Sequence, residues 1–216
     1  MPFRFSSSKI KATLLSLTVF SLSAFGLEVN IAEGLPYVDV EHGGKTVRIQ
    51  RIQDTKHKLK NSYAKTSRPC PPFCIQPIQV AKGVKLYGEL ELLNFLKTEV
   101  KNNTGLLIDA RLPQWYRNGT IPGAINIPFT LFTRGIEDPY TQKILELLGA
   151  EYKNGKWDFS HAQKLLFFCN GPWCAQSPHA IKALIKMGYP ANKIFYYRGG
   201  MQNWQMLGLT TVIPEE

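Results

Sequence analysis

Four cysteines, Cys70, Cys74, Cys169 and Cys174, hold most of the reactive chemistry this sequence can offer. Cys169 follows the apolar run Leu165-Leu166-Phe167-Phe168, which reads as a buried strand. The segment Asn170-Gly171-Pro172-Trp173-Cys174-Ala175-Gln176 comes next, and Ser177-Pro178 opens a helix. Serine suits the cap of that helix and proline its first position. Cys169 therefore stands between the carboxyl end of a strand and the amino end of a helix. Ligands of open α/β sheets gather there, and the unpaired N–H groups of the first helical turn face a developing anion. The helix dipole is worth about 0.3–1 kcal/mol, or about 2 when partly buried, which lowers a thiol pKa by roughly one unit. Between Cys169 and Lys186 there is no acidic residue, whereas His179, Lys182 and Lys186 are present. This setting favours the thiolate, the nucleophilic form of cysteine. Asn170, Gly171, Pro172, Trp173, Ala175, Gln176 and Ser177 are the candidate substrate loop. The competing reading is a structural cysteine, buried or bridged to Cys174.

Cys174 is a second thiol on the same loop, expected to act as a resolving or protecting thiol for Cys169 through exchange chemistry. Cys70 and Cys74 flank Pro71-Pro72-Phe73 and are a candidate disulfide closing a stiff turn. In an oxidising compartment four cysteines allow three pairings, and spacing does not choose among them. A zinc site from all four would need tighter pairs. No Cys-His suffix marks covalent haem, and no long helix follows Cys74 as a thioredoxin-like site would require. His42, His57, His161 and His179 are scattered. No metal and no cofactor is expected.

The elements that must position Cys169 begin near residue 78. Leu90 to Val100 carries an amphipathic helical pattern. Leu106-Leu107-Ile108, Ala124 to Ile127, Lys164 to Phe168 and Ile194 to Tyr197 read as strands. Gln114 to Arg117 suggests a helical turn. Ile144 to Leu148 is helical and stopped by Gly149, and Glu151 to Trp157 forms a hairpin around Asn154-Gly155. Ile181, Leu184 and Ile185 line one side of the helix after Pro178, and a short helix runs through Trp204 and Leu207. Alternating strands and helices predict an α/β fold with a mostly parallel central sheet and helices on both faces. Residues 27–77 differ: apart from a weak strand at Val47 to Ile52, they read as an irregular extended arm ending in the proline turn.

The chain has 216 residues, and its first 26 read as a secretory signal peptide. Arg4, Lys9 and Lys11 precede an uncharged run from Ala12 to Phe25, and Ala24 and Gly26 fit a cut before Leu27. The run is too short and serine-rich for a membrane span, and no later segment qualifies. The expected division is 1–26 signal peptide, 27–77 extension with Cys-Pro-Pro-Phe-Cys, and 78–216 the α/β domain that carries Cys169. Location is expected to be periplasmic or secreted. Removing the signal leaves 23 basic and 16 acidic residues. That balance suits anionic small substrates, and its scatter argues against nucleic acid.

Leu106 to Gly208 resembles the rhodanese-like domain family. The resemblance rests on Ile108-Asp109-Ala110-Arg111, on Gly119-Thr120-Ile121-Pro122-Gly123-Ala124-Ile125-Asn126-Ile127-Pro128, and on Tyr197-Arg198-Gly199-Gly200-Met201-Gln202-Asn203-Trp204. Thr120 stands where the family usually has histidine. The resemblance implies a rhodanese-like fold, Cys169 as the catalytic residue and sulfane-sulfur transfer through a persulfide on it. It gives Asp109, Arg111, Pro122, Gly123, Gly199 and Gly200 structural roles. The loop after Cys169 is longer than the family's usual one and contains no arginine. A phosphatase needs that arginine, so phosphatase activity is rejected, and thiosulfate is expected to be a poor donor. The implied partners are a small sulfur-containing substrate or thiol acceptor, and a protein docking on 27–77. The alternatives are a thiol–disulfide redox protein using Cys169 and Cys174, and a non-catalytic binding module on the same fold.

Overall fold

A computed structural model describes Met1 and residues 28–215. Apart from Met1, the expected signal peptide lies outside the described residues. Among those residues no helix is long and apolar enough to cross a membrane. In chain order the elements are β1 (Tyr37–His42), β2 (Lys45–Gln50), β3 (Lys85–Leu86), α1 (Glu89–Phe95), β4 (Gly105–Asp109), α2 (Pro113–Arg117), β5 (Ala124–Asn126) and α3 (Phe129–Phe132). They continue as α4 (Pro139–Leu147), β6 (Glu151–Lys153), β7 (Lys156–Asp158), β8 (Lys164–Phe168), α5 (Gln176–Lys186), β9 (Ile194–Tyr197) and α6 (Gly200–Met206).

The central sheet has five strands in the order β3-β9-β8-β4-β5, and every pairing is parallel. β4, β8 and β9 are apolar on both faces, as parallel strands covered on two sides must be. Leu107, Leu166, Phe168, Phe195 and Tyr197 pack on one face with α1 and α6. Ile108, Leu165, Phe167, Ile194 and Tyr196 pack on the other with α3, α4 and α5. The α/β layer expected from the strand–helix alternation is the one observed. Pairing with β8 ends at Phe168, so Cys169 leaves the sheet at its carboxyl edge.

The extension is irregular beyond one hairpin, but it is packed. β1 pairs with β2 around Gly43-Gly44, and Val38, Val40, Ile49 and Tyr63 join the first core face. Its far end is stitched to the C-terminal residues: Thr210 N donates to Gln50 O at 3.1 Å and Ile52 N to Gly208 O at 2.8 Å. The weak strand expected at Val47 to Ile52 is β2, and β1 was not anticipated.

Two local expectations need correcting. The helix expected to run to Val100 ends as α1 at Phe95, and Leu96–Val100 widens into a π-turn. α5 begins at Gln176, with Ala175 as a cap that makes no side-chain bond. His179 N already donates to Ala175 O at 2.9 Å, which closes the first turn before Ser177 can cap it. Ser177 and Pro178 are buried inside that turn.

Candidate active site

The loop from Cys169 to Ala175 is held from outside by α6. Met201 N donates to Cys169 O at 3.0 Å and Gln202 N to Asn170 O at 2.9 Å. With those carbonyls turned outward, N–H groups of the loop face inward. The approach is so close that a Cβ on Gly200, whose φ is +56°, would lie 2.3 Å from Cys169 O. Only glycine fits there. Gly199 caps the same helix.

Cys169 and Cys174 are buried free thiols, 2% and 4% exposed. The Cys169 thiol donates to Cys174 O at 3.3 Å. Burial alone would raise its pKa, but donors outweigh burial and hold it below the ordinary cysteine value. These donors are the Cys174 thiol, the Ser177 hydroxyl, and the N–H groups of Ser177 and Gly171. Ser177 Oγ has no partner of good geometry among the described residues, which leaves its proton available to the sulfur. Cys174 moves the other way: burial first, then the neighbouring Cys169, push its pKa well above the usual value. Of the two thiols Cys169 is therefore the stronger acid and Cys174 the weaker. Lys182 is exposed on α5, and neither it nor Lys186 is among the groups that stabilise the thiolate. The stabilisation comes from hydrogen bonds at the loop, not from the cations expected to help.

Asp109 and Arg111 form a buried ion pair below the loop, 0% and 1% exposed. Arg111 Nε donates to Asp109 Oδ1 at 2.8 Å and Nη2 to Gly119 O at 2.7 Å. Thr120 Oγ1 donates to Asp109 Oδ2 at 2.8 Å, taking the carboxylate from the histidine position of the resemblance. Asn126 Nδ2 donates to the carbonyls of Asp109 and Arg111. Pro122 is buried, and Gly123, at φ +85°, lets Leu96 pack where a Cβ would be 2.8 Å away.

The extension completes the site with residues that sequence reasoning missed. Arg111 Nη1 donates to Tyr63 OH at 3.0 Å, and Tyr63 OH donates to Asn170 Oδ1 at 2.8 Å. Burial first raises the Tyr63 pKa to about 12, so the phenol stays protonated. Gln202 accepts from Trp173 Nε1 at 2.7 Å. Trp173 is covered by Phe73, edge-on with centroids 5.5 Å apart, and by the Arg68 guanidinium, 3.9 Å above the ring. Gln76 N donates to Pro172 O at 2.8 Å, and Arg198 donates to Gln76 O. Cys70 and Cys74 are joined in a disulfide within this cover, so they cannot share a zinc ion with the other two cysteines. Among the described residues no group of three or more His, Cys, Asp and Glu is placed to hold a metal. The contacts of Tyr63 and Arg68 span too many residues for any local pattern to reveal.

The rhodanese-like domain family model matches residues 92–207. No curated protein matches. Solved structures share the fold at low identity. A human single-domain sulfurtransferase is 22% identical, with 57% of this chain and 96% of that chain covered and a TM-score of 0.39. The Saccharomyces cerevisiae single-domain sulfurtransferase is 21% identical, with 59% and 94% covered and a TM-score of 0.42. A thiosulfate sulfurtransferase from Pseudomonas aeruginosa is 18% identical, with 64% and 22% covered and a TM-score of 0.42.

Proposed function

The chain belongs to the rhodanese-like domain family, and we propose that it works as a sulfurtransferase or sulfane-sulfur carrier through a persulfide on Cys169. The observation that carries this reading is the cradle at the junction of β8 and α5. There Cys169 is buried at the carboxyl edge of the sheet, and the Cys174 and Ser177 side chains with the Ser177 and Gly171 N–H groups lower its pKa against burial, which favours the thiolate. A thiolate attacks a sulfane sulfur, and the same donors stabilise the perthiolate that results. Asp109, Arg111, Tyr63 and Asn170 keep the loop in register and touch no reacting atom. Cys174 lies beside Cys169, and its raised pKa disfavours it as the attacking thiol on a persulfide there.

The test is intact-mass and peptide mass spectrometry after exposure to thiosulfate or polysulfide. Cys169 is expected to gain one sulfur, and Cys169→Ser to gain none. A reversible loss of two protons across Cys169 and Cys174, without sulfur gain, would establish the redox-pair alternative instead.

We place this activity in the periplasm or outside the cell. The uncharged N-terminal run with small residues at Ala24 and Gly26 supports this, as does the Cys70–Cys74 disulfide, a bond that persists in oxidising compartments. N-terminal sequencing of the natural product should begin near Leu27; a retained Met1 overturns the assignment.

A further inference from the structure

Away from the active loop, the strip of the extension from Arg51 to Asn61 runs along the exposed end of α6. It is tied there at both ends. Arg51 Nε donates to Leu207 O at 2.8 Å, and Asn61 Nδ2 donates to Gln205 Oε1 at 2.6 Å. Between the ties His57 and Leu59 line a cleft of about 270 Å³ together with Met206 and Leu207. Lys56, Lys58 and Lys60 are exposed beside it. The apolar side chains among these cations reach solvent: Met206 is 66% exposed, Ile52 41% and Leu207 40%. Among the described residues Arg51, Lys56, Lys58 and Lys60 enter no ion pair. The hydrogen bonds bring two acidic residues to the strip. Asp54 Oδ1 accepts from Lys56 N at 2.9 Å, and Glu28 N donates to Gln53 Oε1 at 3.0 Å. From Thr55 to Gly88, and again from Phe159 to Pro214, the sequence holds no acidic residue. The three lysines and α6 all lie in those runs.

We propose that this face docks the protein on an anionic lipid surface. Exposed cations without fixed partners gain from a diffuse layer of phosphates, each contributing about fivefold to binding near an anionic leaflet. Protruding apolar side chains enter the boundary between headgroups and acyl chains. Met206, Ile52 and Leu207 are those side chains, and Arg51, Lys56, Lys58 and Lys60 are the cations around them. Other occupants fit this chemistry less well. A second copy of the chain would set lysines against lysines. A nucleic acid would find no aromatic residue on which to stack between Arg51 and Asn61 or between Gln205 and Gly208. An acidic protein segment is best held by apolar anchors in a closed pocket, whereas the largest apolar side chain here, Met206, is the most exposed. The protein is thereby held at a membrane surface without crossing it, and the docking is independent of the chemistry at Cys169.

The experiment is co-sedimentation of the full chain with vesicles of phosphatidylcholine containing about 30% phosphatidylglycerol, and with vesicles of phosphatidylcholine alone, in about 0.1 M salt. The variants share one N-terminus, so any contribution from the apolar N-terminal run is common to all. Affinity for the anionic vesicles should fall about a hundredfold in the triple variant Lys56→Gln, Lys58→Gln, Lys60→Gln. It should fall about threefold in Met206→Gln. The triple variant Lys97→Gln, Lys101→Gln, Lys143→Gln removes the same charge from exposed lysines elsewhere, and should stay within about twofold of the natural chain. Melts and sulfur gain on Cys169 should be equal throughout, since every substituted side chain is exposed. An equal loss in both triple variants shows that net charge alone attracts the vesicles, and overturns the proposal. Binding that is indifferent to phosphatidylglycerol overturns it as well. If the vesicles are not bound, while polyglutamate is bound and released by the Lys56, Lys58 and Lys60 substitutions, the face takes an acidic chain and the lipid assignment is wrong.

Discussion

Cys70 and Cys74 are bonded, while Cys169 and Cys174, spaced one residue farther apart, remain two free thiols. The turn around Pro71-Pro72 is closed on itself by Phe73 N donating to Pro69 O at 3.0 Å, with the two Cα atoms 4.6 Å apart. In the active loop the carbonyls of Cys169 and Asn170 are tied to α6, and Cys174 N donates to Gly171 O at 2.9 Å. That backbone aims the Cys169 sulfur at the Cys174 carbonyl, at 3.3 Å, and at surrounding N–H groups. Spacing alone does not decide whether two cysteines bond; what the rest of the fold holds in place does. One pair closes a cover, and the other makes a cradle.

The strongest way to break this contrast is to release the loop from α6. Gly200→Ala puts a Cβ onto Cys169 O at a positive φ. It should cost on the order of 3 kcal/mol of stability or more. Denaturant melts measure that cost, and diamide treatment of the variant should then drive a Cys169–Cys174 disulfide faster than in the natural chain. A variant of natural stability would show that the loop tolerates movement there.

Cutting the other pair should matter less. The double variant Cys70→Ser, Cys74→Ser loses a small-loop crosslink worth about 2 kcal/mol in the chain-entropy account. It is expected to keep sulfur gain on Cys169 while iodoacetamide reaches that thiol faster. Slower sulfur gain with unchanged alkylation would give the disulfide a chemical part rather than a covering one.

Tyr63→Phe tests the link between the two regions. It removes the hydroxyl shared by Arg111 and Asn170, leaving Arg111 Nη1 and Asn170 Oδ1 only their own 3.4 Å contact, for a loss of about 1 kcal/mol. The melt should shift accordingly, with the identity of the reactive cysteine unchanged.

The smallest effect is in pH dependence. Because Cys169 reacts as a thiolate with its pKa lowered by donors, its alkylation rate should be flat above that pKa and fall as pH drops through it. The inflection should lie below that of an ordinary cysteine. Ser177→Ala removes one donor and moves the inflection upward. Since the folded pKa is depressed, ionisation of Cys169 adds stability above the unfolded value, lost as pH falls through the folded one.

The sheet was legible because its strands carry their own signals. Lys164 to Phe168 and Ile194 to Tyr197 match β8 and β9 as observed, since doubly apolar runs of that length have few other homes. Cys169 could be placed at the sheet edge for the same reason. β3, two residues long, has no pattern of its own and exists because β9 offers it an edge. The cradle was half visible. The inward N–H groups followed from the strand-to-helix junction, but the part played by Ser177 did not, because the helix starts two residues earlier than its Ser-Pro signal suggests. Tyr63 and Arg68 sit in polar sequence with no periodicity, and only the fold brings them onto Asn170 and Trp173.

The stitching of the extension to the C-terminal residues also sets an order of events. β2 and the residues after it bind Gly208, Leu209 and Thr210, which are made long after them, Gln50 and Thr210 being 160 residues apart. A chain emerging from its amino end therefore carries Tyr63, Arg68 and the proline turn long before the residues that seat them exist. Contacts of such long sequence separation form late. Cys169 should be open to small thiol reagents during biogenesis, and become shielded only when residues 208–210 dock on the extension.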